Sequence, residues 1–187
     1  MRLARTRLAR RALALGCVLV SNIGASPQPS EMEGYRIDDY RAPVPETVAG
    51  GVALDTKAAH ALWKTGRAVW IDVLPAPRRP ENLPAGSLWM PVPHRDIPGS
   101  LWLPDVGRGA LSPALEGFFQ HGLEAATGGH KDAEIVFYCL ADCWMSWNAT
   151  KRAASWGYTR LYWYREGTDG WEAAKLPIED REPVRAP

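Results

Sequence analysis

The stretch Glu134-Ile135-Val136-Phe137-Tyr138 runs without a turn residue into Cys139, and a helical stretch follows from Ser146 to Trp156, stopped by Gly157. A short, nearly continuous apolar run reads as a strand covered on both faces, as in the middle of a parallel sheet. Parallel strands need long crossovers, so this one segment predicts an α/β chain with helices flanking the sheet. The remaining sequence fits that plan. A strand over 50–54 precedes a helix capped by Asp55 or Thr56, with Ala58, Ala59, Leu62 and Trp63 on one face and Gly66 at its end. Residues 68–73 form a second central strand, 75–86 a proline-rich loop, 88–92 a short or edge strand, and 94–99 a turn into Leu101-Trp102-Leu103. Ser112-Pro113 opens another helix, whose inward face is Leu115, Phe118, Phe119 and Leu123 and whose end is Gly128-Gly129. Residues 160–164 give a last strand and 171–175 a last short helix. Strands separated by single helices imply a mostly parallel sheet with right-handed crossovers, and sites in such sheets form at the carboxyl ends of strands.

The amino end carries a different message. Five arginines (Arg2, Arg5, Arg7, Arg10, Arg11) precede an apolar run from Ala12 to Val20 and a group of small residues ending at Ala25. That is the layout of an export signal, and the apolar run is too short for a membrane span. Its removal changes the charge balance. The whole chain has 22 basic and 21 acidic side chains, a net charge of +1; without the five arginines, 17 basic face 21 acidic, a net of −4. Such a chain lacks the basic excess that nucleic acid requires, so no nucleic-acid partner is expected. Cys17 also leaves, and three cysteines become two, Cys139 and Cys143. The expected organisation is an export signal over 1–25, an extended, proline-spaced arm over 26–47, and one domain over 48–187.

Cys139 stands between a strand and a helix. The following loop, Leu140-Ala141-Asp142-Cys143-Trp144-Met145, offers backbone N–H groups and the positive end of a helix, both of which favour thiolate over thiol. Cys139 is therefore the expected nucleophile or sulfur carrier and Cys143 the resolving thiol. Leu140, Ala141, Asp142, Trp144 and Met145 complete the candidate binding loop. Four positions apart, two cysteines can meet the ~4.4–6.8 Å Cα separation of a disulfide, which an oxidising compartment favours. Asp142 is expected to raise the Cys139 pKa against the pull of the helix.

The order of motifs from 48 to 180 resembles a rhodanese-like domain, a three-layer α/β fold with a central, mostly parallel sheet flanked by helices. The strand ending in Cys139 is similar to the family's active-loop strand. Ile71-Asp72-Val73 resembles its early strand, and the segment around Ile97-Pro98-Gly99 its His-Ile-Pro-Gly-Ala stretch. Gly157-Tyr158, Arg160-Leu161-Tyr162-Trp163 and Gly167 to Ile178 resemble its closing motifs. The resemblance implies sulfur transfer. This chain departs from the family where Gly and Arg usually stand three and five residues after the nucleophile; here those places hold Asp142 and Trp144. An anionic donor such as thiosulfate loses its guanidinium partner there and meets a carboxylate. Together with the arm segment from Gly34 to Pro43, the stretch Cys139 to Trp144 is similar to the exported PQQ-dependent catabolism-associated CXXCW-motif proteins, although three residues separate the cysteines here. That likeness implies the periplasm, a PQQ-dependent dehydrogenase as partner, and a small sulfur-containing or thiol substrate.

Other chemistries have less behind them. The two cysteines with His94 and Asp142 could offer zinc or copper donors, but Cys-x₃-Cys lacks the usual spacing, so no metal and no cofactor is expected. Haem attachment fails because Trp144 occupies the place of the required His. Trp147, Trp156, Trp163 and Trp171 read as packing residues, whereas Trp144 is expected at the surface, free to stack on a flat cofactor or partner. His60 and His121 are expected in solvent, His94 near the working edge of the sheet, and Asp72 as a loop brace. The competing reading is a non-catalytic binding module that docks a dehydrogenase or its cofactor through Trp144 and the arm.

Overall fold

The computed structural model describes residues 29–185. The export signal expected over 1–25, with Cys17, lies outside the described residues. In chain order the first elements are β1 (Val52–Leu54), α1 (Thr56–Trp63), β2 (Val69–Asp72), β3 (His94–Asp96), β4 (Leu101–Trp102) and α2 (Pro113–Thr127). They are followed by β5 (Glu134–Tyr138), α3 (Trp144–Ser155), β6 (Arg160–Tyr164), α4 (Gly167–Ala173) and β7 (Glu179–Arg181). Five strands form one parallel sheet in the order β1-β6-β5-β2-β4, so the strand that carries Cys139 at its end is central, as expected. β3 and β7 form a separate antiparallel pair.

The alternation of side chains along β5 divides the core. Ile135 and Phe137 pack with Phe118, Phe119 and Leu123 of α2 and with Met145, Ala149 and Ala153 of α3. Val136 and Tyr138 pack on the other face with Ala59 of α1 and Trp171 of α4. The result is the three-layer α/β arrangement, with four helices flanking the sheet. Each fully buried large apolar side chain contributes roughly 1.5–3 kcal/mol. Among the described residues, no helix is long and apolar enough to cross a membrane.

Local chemistry sets the helix ends. Asp55 caps α1, its carboxylate accepting the Ala58 N–H at 2.7 Å. Ser112 caps α2 with Pro113 in the first turn, and Gly128 closes that helix in the left-handed region at φ 61°.

Four assignments differ from expectation. Residues 88–92 form no strand: Pro91 and Pro93 lack N–H groups, and Leu88, Met90 and Val92 are exposed with no ladder partner. The strand forms instead at His94–Asp96, pairing with β7, which lacks any period-2 signature. Helix α3 begins at Trp144 rather than Ser146, and α4 begins at Gly167 rather than Trp171. His60 is half-buried rather than solvated, stacked on Trp63 at 6.0 Å.

From residue 29 onward the arm is docked along α3. Asn148 accepts the Arg36 N–H at 2.9 Å and donates to the Arg36 and Gly107 carbonyls at 2.8 and 2.9 Å. The Lys151 ammonium donates to the carbonyls of Met32, Glu33 and Gly34. The Arg152 guanidinium lies over the Tyr35 ring at 4.1 Å. Val44 of the arm and Val48 at the start of the domain join Trp144, Trp147 and Trp163 in a buried cluster.

Candidate active site

The carboxyl end of β5 delivers Cys139 into a loop fixed from two sides, by α4 and by the arm. From α4, the Thr168 N–H donates to the Cys139 carbonyl at 2.9 Å, and Leu140 bridges Gly167. A Cβ at Gly167 would lie 2.2 Å from the Cys139 oxygen, and φ there is +54°, so both space and backbone call for glycine. The Asp169 carboxylate accepts the Ala141 N–H at 3.1 Å. From the arm, Ala42 donates to the Asp142 carbonyl at 3.0 Å, while the Tyr40 carbonyl accepts the Trp144 N–H at 2.9 Å. Asp142 itself turns the chain at φ 49° and is exposed. This turn returns the chain inward, so that Cys143 becomes the N-cap residue of α3.

Both thiols are free and buried. Cys139 Sγ lies 3.3 Å from Ser146 Oγ and 3.6 Å from the Cys143 carbonyl. Ser146 in turn accepts the Trp163 indole N–H at 2.9 Å, so helix and sheet are tied together beneath the sulfur.

The two thiols are driven apart in acidity. Burial pushes Cys139 well above its ordinary value, and hydrogen bonding to Cys143 adds to the rise. Cys143 is lowered, chiefly because the Cys139 thiol hydrogen-bonds to it; burial opposes this, while the Met145 and Leu140 amides and the charge of Arg41 assist. The expectation that the loop and helix would activate Cys139 is thus corrected. Their N–H groups favour the sulfur at the helix start, which is Cys143. Asp142 is not among the causes acting on Cys139; the carboxylate that opposes ionisation there is Asp72.

Trp144 corrects a second expectation. It is 3% exposed rather than free at the surface. Its indole donates to the Pro43 carbonyl at 3.1 Å, and its ring meets Trp147 at 5.3 Å and the Arg36 guanidinium at 5.4 Å. Met145 is buried in the core, while Leu140 and Ala141 are half-buried. Trp156 packs on Phe119 and Trp171 on Trp63 and Trp70, matching the packing roles expected for them.

Behind the loop lies a second polar group that sequence reasoning only half identified. Asp72 pairs in register with Tyr138, the residue before Cys139. It braces the loop after β2 as expected, accepting the Leu74 N–H at 2.7 Å. Its other oxygen lies 2.5 Å from His94 Nε2. Asp96, Tyr138, Ser146 and Arg41 were not anticipated as site residues. The available signal for Asp96 was its position directly before Ile97-Pro98-Gly99, where the resembled segment has its His.

A rhodanese-like domain model matches residues 55–174, more than half of the chain. Among solved structures, the chain is similar to a thiosulfate sulfurtransferase from Pseudomonas aeruginosa, with 18% identity and a TM-score of 0.49 over 72% of this chain and 21% of that one. It is also similar to a polysulfide-sulfur transferase homodimer from Wolinella succinogenes, with 24% identity and a TM-score of 0.44 over 72% and 82% of the two chains. A human single-domain sulfurtransferase, TSTD1, is 26% identical with a TM-score of 0.40 over 65% and 95%. The chain thus spans about a fifth of the length of the Pseudomonas protein. No curated protein sequence matches it.

Proposed function

This chain belongs to the rhodanese-like domain family, and on that premise we propose that it handles sulfur through Cys143 and Cys139 acting as a pair. The observation that carries this reading is geometric: Cys143 stands at the N-cap of α3, where the Leu140 and Met145 amides favour its thiolate, with the buried Cys139 thiol 3.6 Å from its carbonyl. Cys143 is the attacking thiolate. It displaces the outer sulfur of a persulfide R–S–SH: the donor S–S bond breaks, R–S⁻ leaves, and Cys143 carries –S–SH. Two exits follow. An acceptor thiolate takes the terminal sulfur and restores the Cys143 thiolate. Alternatively Cys139, once deprotonated, attacks the Cys143 sulfur; HS⁻ leaves, and the pair is oxidised to a disulfide while the carried sulfur is reduced to sulfide. Compared with the sequence expectation, the two cysteines exchange roles, because acidity favours the one at the helix start.

Whole-protein mass after incubation with a polysulfide donor tests this. One added sulfur on the wild type, kept in Cys139→Ser and lost in Cys143→Ser, is the expected result. Retention in Cys143→Ser with loss in Cys139→Ser returns the first role to Cys139. No added sulfur on any form sinks the catalytic reading.

A second reading rests on a separate observation: the arm pairs with the loop between the two cysteines. In it the domain is a binding module that docks a partner through its arm. The layout of residues 1–25 and the likeness of the arm and Cys139 to Trp144 to exported PQQ-associated proteins support a periplasmic protein serving a PQQ-dependent dehydrogenase. Cell fractionation and co-purification with such a dehydrogenase check that assignment; a cytoplasmic, unpartnered protein overturns it.

A further inference from the structure

His94 and Asp96 stand two residues apart on β3 and so share one face of that strand, turned toward the carboxyl end of β2 where Asp72 lies. Both oxygens of Asp72 are held, whereas Asp96 has one oxygen held by the protein and one left over. Asp72 Oδ1 accepts the Leu74 N–H at 2.7 Å, and its Oδ2 faces His94 Nε2 at 2.5 Å. Asp96 Oδ1 accepts the Ile97 N–H at 2.8 Å and the Tyr138 hydroxyl, itself 2.5 Å from Ser100 Oγ. Asp96 Oδ2 has no partner, although Asp96 is fully buried, and it lies 3.9 Å from His94 Nε2. One donor atom from each of Asp72, His94 and Asp96 falls within 4.8 Å of the others, and no other such group of three occurs among the described residues.

The geometry points to a site for a single divalent transition-metal ion, held by Asp72, His94 and Asp96. Three observations favour an ion over a plain hydrogen-bonded cluster. A fully buried, unpartnered carboxylate oxygen is costly unless something fills its lone pairs. Asp96, anchored at Oδ1 and bare at Oδ2, has the arrangement in which surrounding hydrogen bonds orient a monodentate metal ligand, and Asp72 joins it by giving up its contact with His94. Two carboxylates and an imidazole, once the protons they hold are released on binding, form a donor set whose charge a divalent ion balances. One nitrogen with two oxygens suits zinc(II) and its first-row neighbours better than magnesium or calcium. The site has an approach: His94 lines a cavity of about 430 Å³, with Pro77, Trp89, Met90, Trp102 and Arg181. This leaves room for a fourth ligand, water or a small anion, on the cavity side. The site shares no ligand with the cysteine pair, so it stands whether or not Cys143 carries sulfur.

The test is equilibrium dialysis and calorimetry of the metal-free full chain with zinc(II) alone, followed by the visible spectrum with cobalt(II). One equivalent of zinc is expected to bind the Cys139→Ser/Cys143→Ser protein as well as wild type. Asp96→Asn and His94→Ala are each expected to weaken it about tenfold or more. The cobalt spectrum is expected to show ligand-field bands without a thiolate charge-transfer band. A thiolate band, loss of binding in the double Ser protein, or undiminished affinity in both Asp96→Asn and His94→Ala would overturn the assignment. Failure of wild type to bind would do the same. If Asp96→Asn does not fold, His94→Ala, which alters a partly exposed side chain, still decides the matter.

Discussion

The carbonyl of Tyr40 accepts the backbone N–H of Trp144 at 2.9 Å. Trp144 begins α3, so this N–H is one of the donors that a helix start leaves without an intrahelical partner, and the arm supplies the acceptor. Two residues on, Ala42 donates to the Asp142 carbonyl at 3.0 Å, and the loop between the cysteines is held by the arm from both of these positions.

Ala42→Pro removes one of these bonds without touching the cysteines, and an extended Arg41 tolerates a following proline. Losing a hydrogen bond of about 0.5–1.5 kcal/mol should raise the opening equilibrium about two- to tenfold. The rate of Cys143 alkylation, followed by whole-protein mass, should rise by that factor. An unchanged rate would show that the arm does not limit access.

Asn148→Ala leaves the Arg36 N–H and the Arg36 and Gly107 carbonyls without their partner. With partly or fully buried groups left unsatisfied, the expected loss is about 1–3 kcal/mol in urea unfolding. The arm should also become more sensitive to protease near Arg36.

Gly167→Ala forces a Cβ against the Cys139 carbonyl and keeps a left-handed backbone. Overpacking against main chain that cannot retreat should cost about 1–3 kcal/mol or more, read as a lower Tm. A Tm equal to wild type would mean that the α4 contact does not hold the loop.

The pair titrates as a unit. Cys143 loses its proton below its ordinary 9.0 in the folded protein. Its contribution to stability is therefore complete above 9.0 and lost as pH falls through the lowered value. Cys139, raised instead, acts with the opposite sign: the folded state becomes less stable as pH climbs above 9.0. Cys139→Ala removes the main cause of the Cys143 shift, so the midpoint of its alkylation–pH profile should move upward. A midpoint that stays in place would mean that the Cys139 thiol is not the cause.

The parallel sheet and its central strand were legible because β5 is a nearly unbroken apolar run and Ser112, Pro113 and Gly128 are local helix signals. The strand β3 was not, since His94, Arg95 and Asp96 carry no period-2 apolar pattern; their pairing with β7, 80 or more residues onward, is a tertiary outcome. The Cys139–Cys143 loop was identified as the place of interest, whereas which thiol would be acidic was not. That depends on how far Asp142, at φ 49°, turns the chain back, and the sequence carries no record of the angle. Trp144 was misplaced for a related reason: its cover comes from Pro43, a hundred residues earlier.

The arm continues directly into the domain through Val48, so it competes for the loop as a tethered strand at an effective concentration on the order of millimolar. Any small donor must displace that internal competitor, and its apparent affinity falls by the same ratio. A partner protein that draws the arm away would sharpen the response to donor without contributing an atom to the cysteine pair.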